Sequence, residues 1–289
     1  MKILVTGGSG FLGSHIIDHL TLLGHEVVSF DKHKSQYSKG NSKEIIGDLS
    51  NRKILEEALK SIEVIYHLGA SPDISFSETN PIETLQTNTI GTCNLIEAAL
   101  KNKVKKIIFA STIYVNSDKG SFYRISKQAC ENIIFEYSRL YNLNYTILRF
   151  GTLWGPRSNE NNAIYNFLKQ AATTNKINVP GSGEELREYI HITDAAEIAT
   201  TMLNKESDNL IYILTGHHQT KLKDLVETIK EISGKNIDIN YLGDSKSHYI
   251  RTPYNYIDNE GKKIVLNTYK DIGSGLLSLF TEIKKDLSQ

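Results

Sequence analysis

The sequence of 289 residues predicts an α/β protein with a doubly wound, mostly parallel sheet and a small C-terminal cap. Through the first half, short runs rich in β-branched or aromatic residues alternate with segments of helical apolar spacing. A glycine-rich segment directly follows the first of these runs. After Phe150 the alternation loosens, and Pro and Gly mark longer loops. Alternating strands and helices imply right-handed crossovers between parallel strands, which is the arrangement of a Rossmann-type fold.

The predicted elements follow one another in regular order. The strand-like runs are apolar enough to be buried on both faces of a sheet, and they are Lys2–Thr6, Glu26–Phe30, Val64–Leu68, Lys105–Ala110 and Tyr145–Phe150. The helical segments between them are Phe11–Leu23, Arg52–Ser61, Pro81–Lys101 and Tyr123–Tyr141. In the second half, helices are predicted at Ile192–Asn204, Leu222–Ser233 and Ile272–Asp286. We therefore expect residues 1–150 to form the sheet domain and 151–289 mainly the cap, with later segments returning to the first domain.

Composition and charge narrow the class of protein. Lys and Arg number 33, as do Asp and Glu, so no basic field would hold a nucleic-acid backbone, and no nucleic-acid partner is expected. The mean hydropathy of −0.31 and the lack of an apolar run near roughly 20 residues argue against a membrane protein. The N-terminal segment turns polar too early for a signal peptide. Two cysteines, Cys93 and Cys130, exclude a disulfide framework and form no C-x-x-C pair, so we expect a cytoplasmic protein without a metal site.

The glycine-rich segment points to a dinucleotide. Gly7, Gly10 and Gly13 are spaced G-x-x-G-x-x-G between the first strand and the first helix. Glycines there permit a tight turn and close approach of the backbone to a pyrophosphate, whose charge a helix N-terminus favours. An ordinary strand–helix turn is the alternative, but the place of the segment in a βαβ unit favours cofactor binding. The candidate contacts are Gly7, Gly10, Phe11 and Leu12.

Acidic residues after the next strand-like runs extend this site. Asp31 ends the second strand, 18 residues after the last glycine of the motif, where a carboxylate accepts both adenosine ribose hydroxyls and repels a 2′-phosphate. It therefore favours NAD over NADP, although the neighbouring Lys32 and His33 could hold that phosphate. Asp48 and Leu49 either flank the adenine or provide the N-cap of the next helix.

With Tyr123 and Lys127, four residues apart in a predicted helix, the sequence resembles a known family. It is similar to the extended short-chain dehydrogenase/reductases, in the branch of NAD-dependent sugar-nucleotide epimerases and dehydratases. The resemblance covers nearly the whole chain. It rests on Thr6-Gly7-Gly8-Ser9-Gly10-Phe11-Leu12-Gly13, Asp31, Asp48-Leu49, His67-Leu68-Gly69-Ala70, Asn88, Gly91-Thr92, Asn94-Leu95, Ser111-Thr112, Tyr123, Lys127, Leu148-Arg149, Gly155-Pro156, Arg187, His191 and Asp194.

The resemblance implies a separate binding role for each half of the chain. Residues 1–150 correspond to an NAD-binding Rossmann domain, and residues 151–289 correspond mainly to a sugar-nucleotide-binding cap. The cofactor is NAD, with contacts implied at Leu68, Ala70, Asn88, Tyr123 and Lys127 in addition to the glycine-rich segment.

The spacing of the catalytic candidates explains their chemistry. Residues four apart share one helical face, so Tyr123 and Lys127 can point into one cleft. A tyrosine with a pKa of about 10 is a poor base at neutral pH, and we expect the Lys127 ammonium and the nicotinamide to lower it. Tyr123 would then remove a proton from a sugar hydroxyl as hydride leaves for NAD. By the resemblance, Lys127 also holds the nicotinamide ribose, and Thr112, or alternatively Ser111, orients the substrate hydroxyl.

Two departures from the family pattern bear on the reaction. The 4,6-dehydratases of this branch have an acidic pair after the threonine, whereas Ile113 and Tyr114 follow Thr112 here. Dehydration is therefore disfavoured. In addition, only ten residues separate Thr112 from Tyr123, a shorter loop than is usual in the branch.

The second half supplies the candidates for nucleotide-sugar binding. Arg187 matches the position at which this branch places an arginine against the diphosphate, and a guanidinium pairs well with phosphate oxygens. A surface salt bridge with Glu184 or Glu188 is its alternative role. Arg251 is a second candidate. Thr152 is a further candidate for substrate contact, although the family usually has Asn there.

The function indicated is oxidation at C4 of a nucleotide-linked sugar with NAD, as a sugar-nucleotide epimerase. A 4-dehydrogenase that releases the 4-keto sugar is the alternative, and a non-catalytic NAD-sensing protein is the alternative of another class. No membrane partner is expected. By the resemblance, the helices Pro81–Lys101 and Tyr123–Tyr141 build a homodimer or higher homo-oligomer, for which Ile133, Ile134 and Tyr137 could supply apolar surface.

Overall fold

The computed structural model describes residues 1–38, 40, 42–243 and 260–288 of the chain. Strands and helices alternate through its first half, as the sequence predicts. The strands are β1 (Lys2–Thr6), β2 (Glu26–Asp31), β3 (Lys43–Ile46), β4 (Val64–His67), β5 (Lys106–Thr112), β6 (Asn144–Phe150), β7 (Thr152–Trp154), β8 (Lys176–Val179), β9 (Leu186–His191), β10 (Leu210–Leu214), β11 (Gln219–Lys221), β12 (Asp238–Tyr241) and β13 (Gly261–Lys263). The helices are α1 (Phe11–Leu22), α2 (Arg52–Ala58), α3 (Ile74–Thr79), α4 (Pro81–Leu85), α5 (Gly91–Lys101), α6 (Ser121–Tyr141), α7 (Ala163–Thr173), α8 (Ile192–Thr201), α9 (Leu222–Ser233) and α10 (Ile272–Asp286).

The central eight-stranded sheet has the order β13-β10-β6-β5-β4-β1-β2-β3. Each neighbouring pair from β3 through β1 and β4 to β6 is parallel. The chain runs outward from β1 to β3 and then resumes at β4 on the other side, so the strand order reverses at β1. Such a reversal opens a crevice outside the carboxyl ends of the strands, where ligands of this fold bind. The predicted Rossmann-type doubly wound sheet is confirmed.

The predicted helix Pro81–Lys101 is instead a succession of three helical segments. Between α4 and α5 lies a π-helical turn, Gln86–Ile90. This turn buries Asn88, whose side-chain amide hydrogen-bonds with the backbone of Ser71 and the hydroxyl of Ser126. The wider π register adds one residue to the turn, and turns of this kind are frequent at functional sites. The apolar spacing of the sequence continues through the turn and does not reveal it.

Residues Met1–Phe150, Ala196–Ile213 and 260–262 form one compact unit. Its core consists of apolar side chains from the parallel strands and from the helices that cover them. Ile65 and Ile107 of the sheet and Leu95 and Ile134 of the helices are completely buried there. Each such side chain contributes about 1.5–3 kcal/mol by leaving water. This packing holds the carboxyl ends of the strands in fixed positions.

The three apolar side chains of α6 expected at an oligomer interface differ in burial. Ile134 is completely buried, and Ile133 and Tyr137 pack against the same core. The expectation that Ile134 supplies exposed apolar surface is therefore wrong, whereas Ile133 and Tyr137 are only partly buried and their role in an interface stays a prediction. The exposed apolar side chains of α4, the π-turn and α6 are Ile82, Ile90, Phe122, Ile125, Leu140 and Tyr141.

Residues Gly151–Ala195, 214–243 and 263–288 form a second compact unit. It contains a three-stranded sheet, β11-β9-β7, and a two-stranded sheet of β12 and β8. Helices α7, α9 and α10 pack around Trp154, and a Cβ added at Gly275 would lie 2.6 Å from its ring. The predicted bounds of α9 and α10 are confirmed, whereas α7 and the short strands are not predicted. No helix within the described ranges has the length and hydropathy to span a bilayer.

Candidate active site

The glycine-rich turn between β1 and α1 leaves no room for side chains. Gly7 has φ +69°, and a Cβ on it would lie 2.8 Å from the backbone nitrogen of Gly69. A Cβ on Gly13 would lie 2.1 Å from the Gly7 carbonyl oxygen, to which the Gly10 N–H donates at 3.1 Å. No side chain caps the N-terminus of α1, which begins at Phe11. The turn therefore presents backbone N–H groups and a helix N-terminus, a combination that suits a pyrophosphate.

Asp31 at the end of β2 is joined to this turn by hydrogen bonds. One oxygen of its carboxylate accepts the backbone N–H of Ser9 at 3.0 Å, and the other accepts that of His33 at 3.0 Å. The Ser9 hydroxyl also donates to the His33 carbonyl at 2.7 Å. The carboxylate predicted to recognise the adenosine ribose thus lies beside the glycine-rich turn and fixes its position.

Asp48 and Leu49 lie at the neighbouring strand end. Asp48 forms an ion pair with Lys32 at 2.8 Å and accepts the Ser50 N–H. Burial alone would raise the pKa of Asp48, but the hydrogen bonds from Lys32 and Ser50 outweigh it and lower the pKa to about 2. Asn51, not Asp48, provides the side-chain cap of α2, so the alternative N-cap role of Asp48 is wrong. Leu49 is buried.

A hydrogen-bonded chain behind the site ties β1 to β4 and α5. The Thr6 hydroxyl lies 2.8 Å from Nδ1 of His67, and Nε2 of His67 lies 2.8 Å from the Thr92 hydroxyl. Thr6 also accepts the backbone N–H groups of Leu68 and Gly69, the start of the loop after β4. Burial, and secondly the charge of Lys127, lower the pKa of His67 to about 3, so the imidazole is neutral.

Asn88 anchors the same loop from the other side. Its Oδ1 accepts the Ser71 N–H at 2.7 Å, and its Nδ2 donates to the Ser71 carbonyl at 3.1 Å and to the Ser126 hydroxyl at 2.9 Å. The amide predicted to bind the cofactor is therefore used to hold the loop that carries Leu68 and Ala70 against α6.

The Tyr123–Lys127 pair lies on the first two turns of α6. Lys127 is 4% exposed, and its Nζ donates to the Ala110 carbonyl at 2.7 Å. The same Nζ lies 4.6 Å from the centroid of the Phe109 ring and 5.9 Å from that of the Tyr123 ring. Burial lowers the pKa of Lys127 to about 8. The helix thus brings both side chains to the carboxyl end of β5, as the spacing predicts.

Thr112 completes a catalytic set at the end of β5. It is buried and accepts the Tyr114 N–H at 3.3 Å, and its side chain is close enough to the Tyr123 phenol to lower the pKa of that phenol. Burial raises the pKa of Tyr123, and the nearby Thr112 side chain opposes that rise. The expected lowering by Lys127 is not found, because desolvation of the phenol outweighs the effect of a cation 5.9 Å from its ring centroid.

Ser111, the alternative to Thr112, has its hydroxyl engaged elsewhere. It donates to the carboxylate of Glu131 on α6, which also receives a bidentate pair of hydrogen bonds from Arg149 on β6. Ser111 thus belongs to a buried ion-pair network, whereas Thr112 is the hydroxyl residue that affects the pKa of Tyr123. The sequence reasoning missed Glu131, although its place four residues after Lys127 on one helical face was a usable signal.

The short loop between Thr112 and Tyr123 is a compact, closed turn. A 3₁₀ turn spans Ile113–Asn116, and the Gln128 amide donates to the Val115 carbonyl at 2.7 Å. Arg124 donates to the Ser117 carbonyl, also at 2.7 Å. The loop is therefore fixed to the start of α6 by two side chains of that helix.

The candidates for nucleotide-sugar binding lie in the second unit. Thr152 on β7 pairs with Tyr189 on β9, and Arg187 on β9 is 4% exposed and donates to the Leu186 carbonyl. Glu184 pairs with Lys221 and Lys223, and Glu188 pairs with Lys263. Arg187 is therefore a buried residue and not a surface one, and its contact with the diphosphate stays a prediction. Arg251 lies outside the described residues.

Comparison with known sequences identifies the family. A family model described as NAD dependent epimerase/dehydratase family matches residues 3–214. The chain belongs to this family. The resemblance seen in the sequence is thereby confirmed, and NAD is the family's cofactor, as expected. The family groups NAD-dependent enzymes that act on sugar nucleotides, among them epimerases and decarboxylases.

Individual relatives carry out different reactions. UDP-glucuronic acid decarboxylase 6 of Arabidopsis thaliana is 29% identical, over 83% of this chain and 76% of that protein. UDP-N-acetyl-alpha-D-glucosaminuronate decarboxylase of Bacillus cytotoxicus is 27% identical, over 94% and 89%. The crystal structure of UDP-glucose 4-epimerase with UDP-glucose from Thermotoga maritima superimposes with a TM-score of 0.87 at 25% identity, covering 99% of this chain and 100% of that one.

Proposed function

We propose that this chain is an NAD-dependent sugar-nucleotide 4-epimerase. The observation that carries the proposal is the set of Thr112, Tyr123 and Lys127, which one strand end and one helix bring together at the crevice of a Rossmann-type sheet. A hydroxyl, a phenol and an amine in this order suit the removal of a proton from an alcohol. The arrangement therefore supports oxidation of a sugar hydroxyl.

The cofactor proposed for the first unit is NAD, and the residues around the crevice fit it. Gly7, Gly10 and the start of α1 at Phe11 and Leu12 would receive the pyrophosphate, because no side chain caps this helix N-terminus and a Cβ at Gly7 would collide with the Gly69 backbone. Asp31 would hold the adenosine ribose. Further contacts are proposed at Asp48, Leu49, Leu68, Ala70 and Lys127, while Asn88 supports the loop after β4. Bound at these residues, NAD would supply the hydride acceptor and donor for C4 of the sugar.

Side chains of the protein remove the proton of the C4 hydroxyl in the proposed reaction. Tyr123 takes the proton, and the Thr112 hydroxyl, which lies close to the phenol, orients the substrate oxygen and stabilises its developing charge. The ammonium of Lys127 lies on the same side and favours the phenolate that the reaction requires. Burial by itself raises the pKa of Tyr123. The phenol therefore needs the positive charge of Lys127 beside it to act as a base at neutral pH.

The second unit is proposed to hold the nucleotide sugar. The buried guanidinium of Arg187 would pair with the diphosphate, with Arg251 as a further cation, and Thr152 would contact the substrate. UDP is the proposed nucleotide of the substrate. The Thermotoga maritima epimerase was crystallised with UDP-glucose, and the two decarboxylase relatives are named for UDP sugars.

A decarboxylase is the second candidate, favoured by those two relatives, since oxidation at C4 of a uronic acid also labilises its carboxyl group. A 4-dehydrogenase shares the same first step. Dehydration is disfavoured because Ile113 and Tyr114 provide no acid beside Thr112. The presence of the whole catalytic set disfavours a non-catalytic NAD-binding protein.

The test is incubation with UDP-glucose and UDP-glucuronic acid carrying deuterium at C4, with dTDP and GDP sugars as a comparison panel, followed by NMR of the products. An epimerase yields the 4-epimer with its label retained, because the hydride returns to the carbon that it left. Label on NADH would indicate a dehydrogenase, and release of carbon dioxide from UDP-glucuronic acid would indicate a decarboxylase. Lack of any reaction across the panel would contradict the proposed function.

A further inference from the structure

A buried ion pair lies directly behind the catalytic end of β5. Glu131 of α6 and Arg149 of β6 are each 4% exposed, and Nε and Nη2 of the arginine contact the two carboxylate oxygens at 3.1 and 2.6 Å. The Ser111 hydroxyl donates to the same carboxylate. Burying two charges carries a desolvation penalty that often equals their attraction, so stability alone does not account for such a pair.

The pair is placed to act on Lys127. Glu131 follows Lys127 by four residues and shares its helical face. Lys127 donates to the carbonyl of Ala110, and the next residue, Ser111, donates to Glu131. Two consecutive residues of β5 are therefore bound by two consecutive turns of α6. Arg149 lies opposite Ser111 in the register of β5 and β6, which fixes the far side of the carboxylate.

We infer that Glu131, balanced by Arg149, is a positioning residue that sets the protonation of Lys127 and, with it, the alkaline limit of the reaction. The carboxylate of Glu131 keeps the buried amine of Lys127 in its ammonium form. The positive charge of Arg149 offsets part of the carboxylate's effect on that amine. The inference rests on the proposed function, in which the Lys127 ammonium supports the Tyr123 phenolate.

The other groups that face Lys127 supply little charge at neutral pH. His67 of β4 is neutral because burial lowers its pKa to about 3. Burial raises the pKa of Cys130, which shares α6, and also that of Tyr123. The groups of β5 that contact the Lys127 amine are the Phe109 ring and the Ala110 carbonyl, and both are uncharged.

Lys127 itself is held between opposing effects. Burial lowers its pKa to about 8, while Cys130 and Glu131 act in the opposite direction. Because the Cys130 thiol is neutral at pH 7, the Glu131 carboxylate is the anion that retains the proton on Lys127. Arg149 balances this carboxylate and also lies 3.8 Å from the exposed carboxylate of Glu260.

The two partners of the ion pair give opposite predictions. We expect Glu131→Gln to lower the pKa of Lys127 by about one unit, and Arg149→Met to raise it by a similar amount, because the carboxylate then lacks its counter-charge. Both substitutions break the same ion pair. A purely structural role would therefore move the Lys127 pKa in the same direction in both variants.

The measurement is an NMR pH titration of the full chain with ¹³C,¹⁵N-labelled lysine, in which Lys127→Arg identifies the Lys127 signal. Arg149→Lys, which keeps the charge, is the matched control and should leave the Lys127 pKa close to its wild-type value. If a single variant does not fold, the double variant Glu131→Gln with Arg149→Met removes both charges of the ion pair and leaves neither of them unpaired, and its Lys127 pKa should lie below the wild-type value. Shifts in the same direction, no shift, or an unchanged or higher pKa in the double variant would overturn the inference.

A second readout links the pair to the reaction. The alkaline limb of kcat/KM against pH should move down in Glu131→Gln and up in Arg149→Met, in step with the Lys127 titration. A limb that stays in place while the pKa moves would overturn the link to catalysis. The NMR titration needs no substrate, so inactivity of the wild-type protein on every sugar nucleotide would contradict the proposed function without affecting that titration.

Discussion

Replacing Lys127 by Met should change protein stability in a way that depends on pH. In the folded protein, burial lowers the pKa of this amine from 10.5 to about 8. The unfolded chain therefore binds more protons than the folded one between about pH 8 and pH 10.5, so wild-type stability rises with pH through this window. At 1.36 kcal/mol per pKa unit, the charged amine lowers wild-type stability by about 3 kcal/mol at pH 7 and by less than about 1 kcal/mol at pH 10.

Met has a similar length and no charge, so Lys127→Met removes this pH dependence. The stability of the variant minus that of the wild type should therefore be larger at pH 7 than at pH 10 by about 2.5 kcal/mol. Loss of the hydrogen bond to the Ala110 carbonyl affects both values alike and cancels in the comparison. The same variant should lose turnover, since it lacks the ammonium beside Tyr123.

The assay is urea unfolding of dinucleotide-free protein, followed by circular dichroism at both pH values. Lys101→Met is the matched control, because the Lys101 side chain is 64% exposed and its difference from wild type should be similar at both pH values. An equal difference for Lys127→Met at pH 7 and pH 10 would refute the reasoning. It would mean that burial does not destabilise the ammonium at this position.

Three further outcomes are expected. Tyr123→Phe should lower kcat by at least about 100-fold, because the phenol hydroxyl acts on the sugar. Its NAD affinity, measured by titration calorimetry, should be nearly unchanged. Near wild-type turnover would contradict the mechanism. NAD should bind more tightly than NADP because of the Asp31 carboxylate, and equal affinities by calorimetry would count against that role. Light scattering at micromolar concentration should show a dimer. We expect its interface to use the exposed apolar side chains of α4 and α6, among them Ile82 and Ile125. A monomer at this concentration would exclude the proposed dimer.

The parallel sheet was predictable because its strands are buried on both faces. Continuous apolar runs place β1, β4 and β6 within one residue of their observed bounds. The interruption of the helix after Pro81 was not predictable, because the side-chain partners of Asn88 at Ser71 and Ser126 are distant in sequence. Three-residue strands such as β7 and β11 are too short to show any periodicity, so the second unit was predicted mainly through its long helices.

Spacing also located the main parts of the candidate site. The glycine-rich turn, Asp31, and the helical pairing of Tyr123 with Lys127 follow from local sequence alone. The choice between Ser111 and Thr112 does not, since it depends on a carboxylate 20 residues further along the chain. The pKa of Tyr123 likewise reflects burial by the whole fold, a property that no single motif contains.

The hydrogen bonds of Asp31 have a consequence for engineering the cofactor preference. The carboxylate proposed to hold the ribose also holds the pyrophosphate turn, through the backbone N–H groups of Ser9 and His33. Exchanging it for a small neutral residue to admit a 2′-phosphate would release that turn at the same time. A switch to NADP therefore requires a replacement that still accepts hydrogen bonds from both backbone groups, and truncation to Ala would weaken the binding of either dinucleotide.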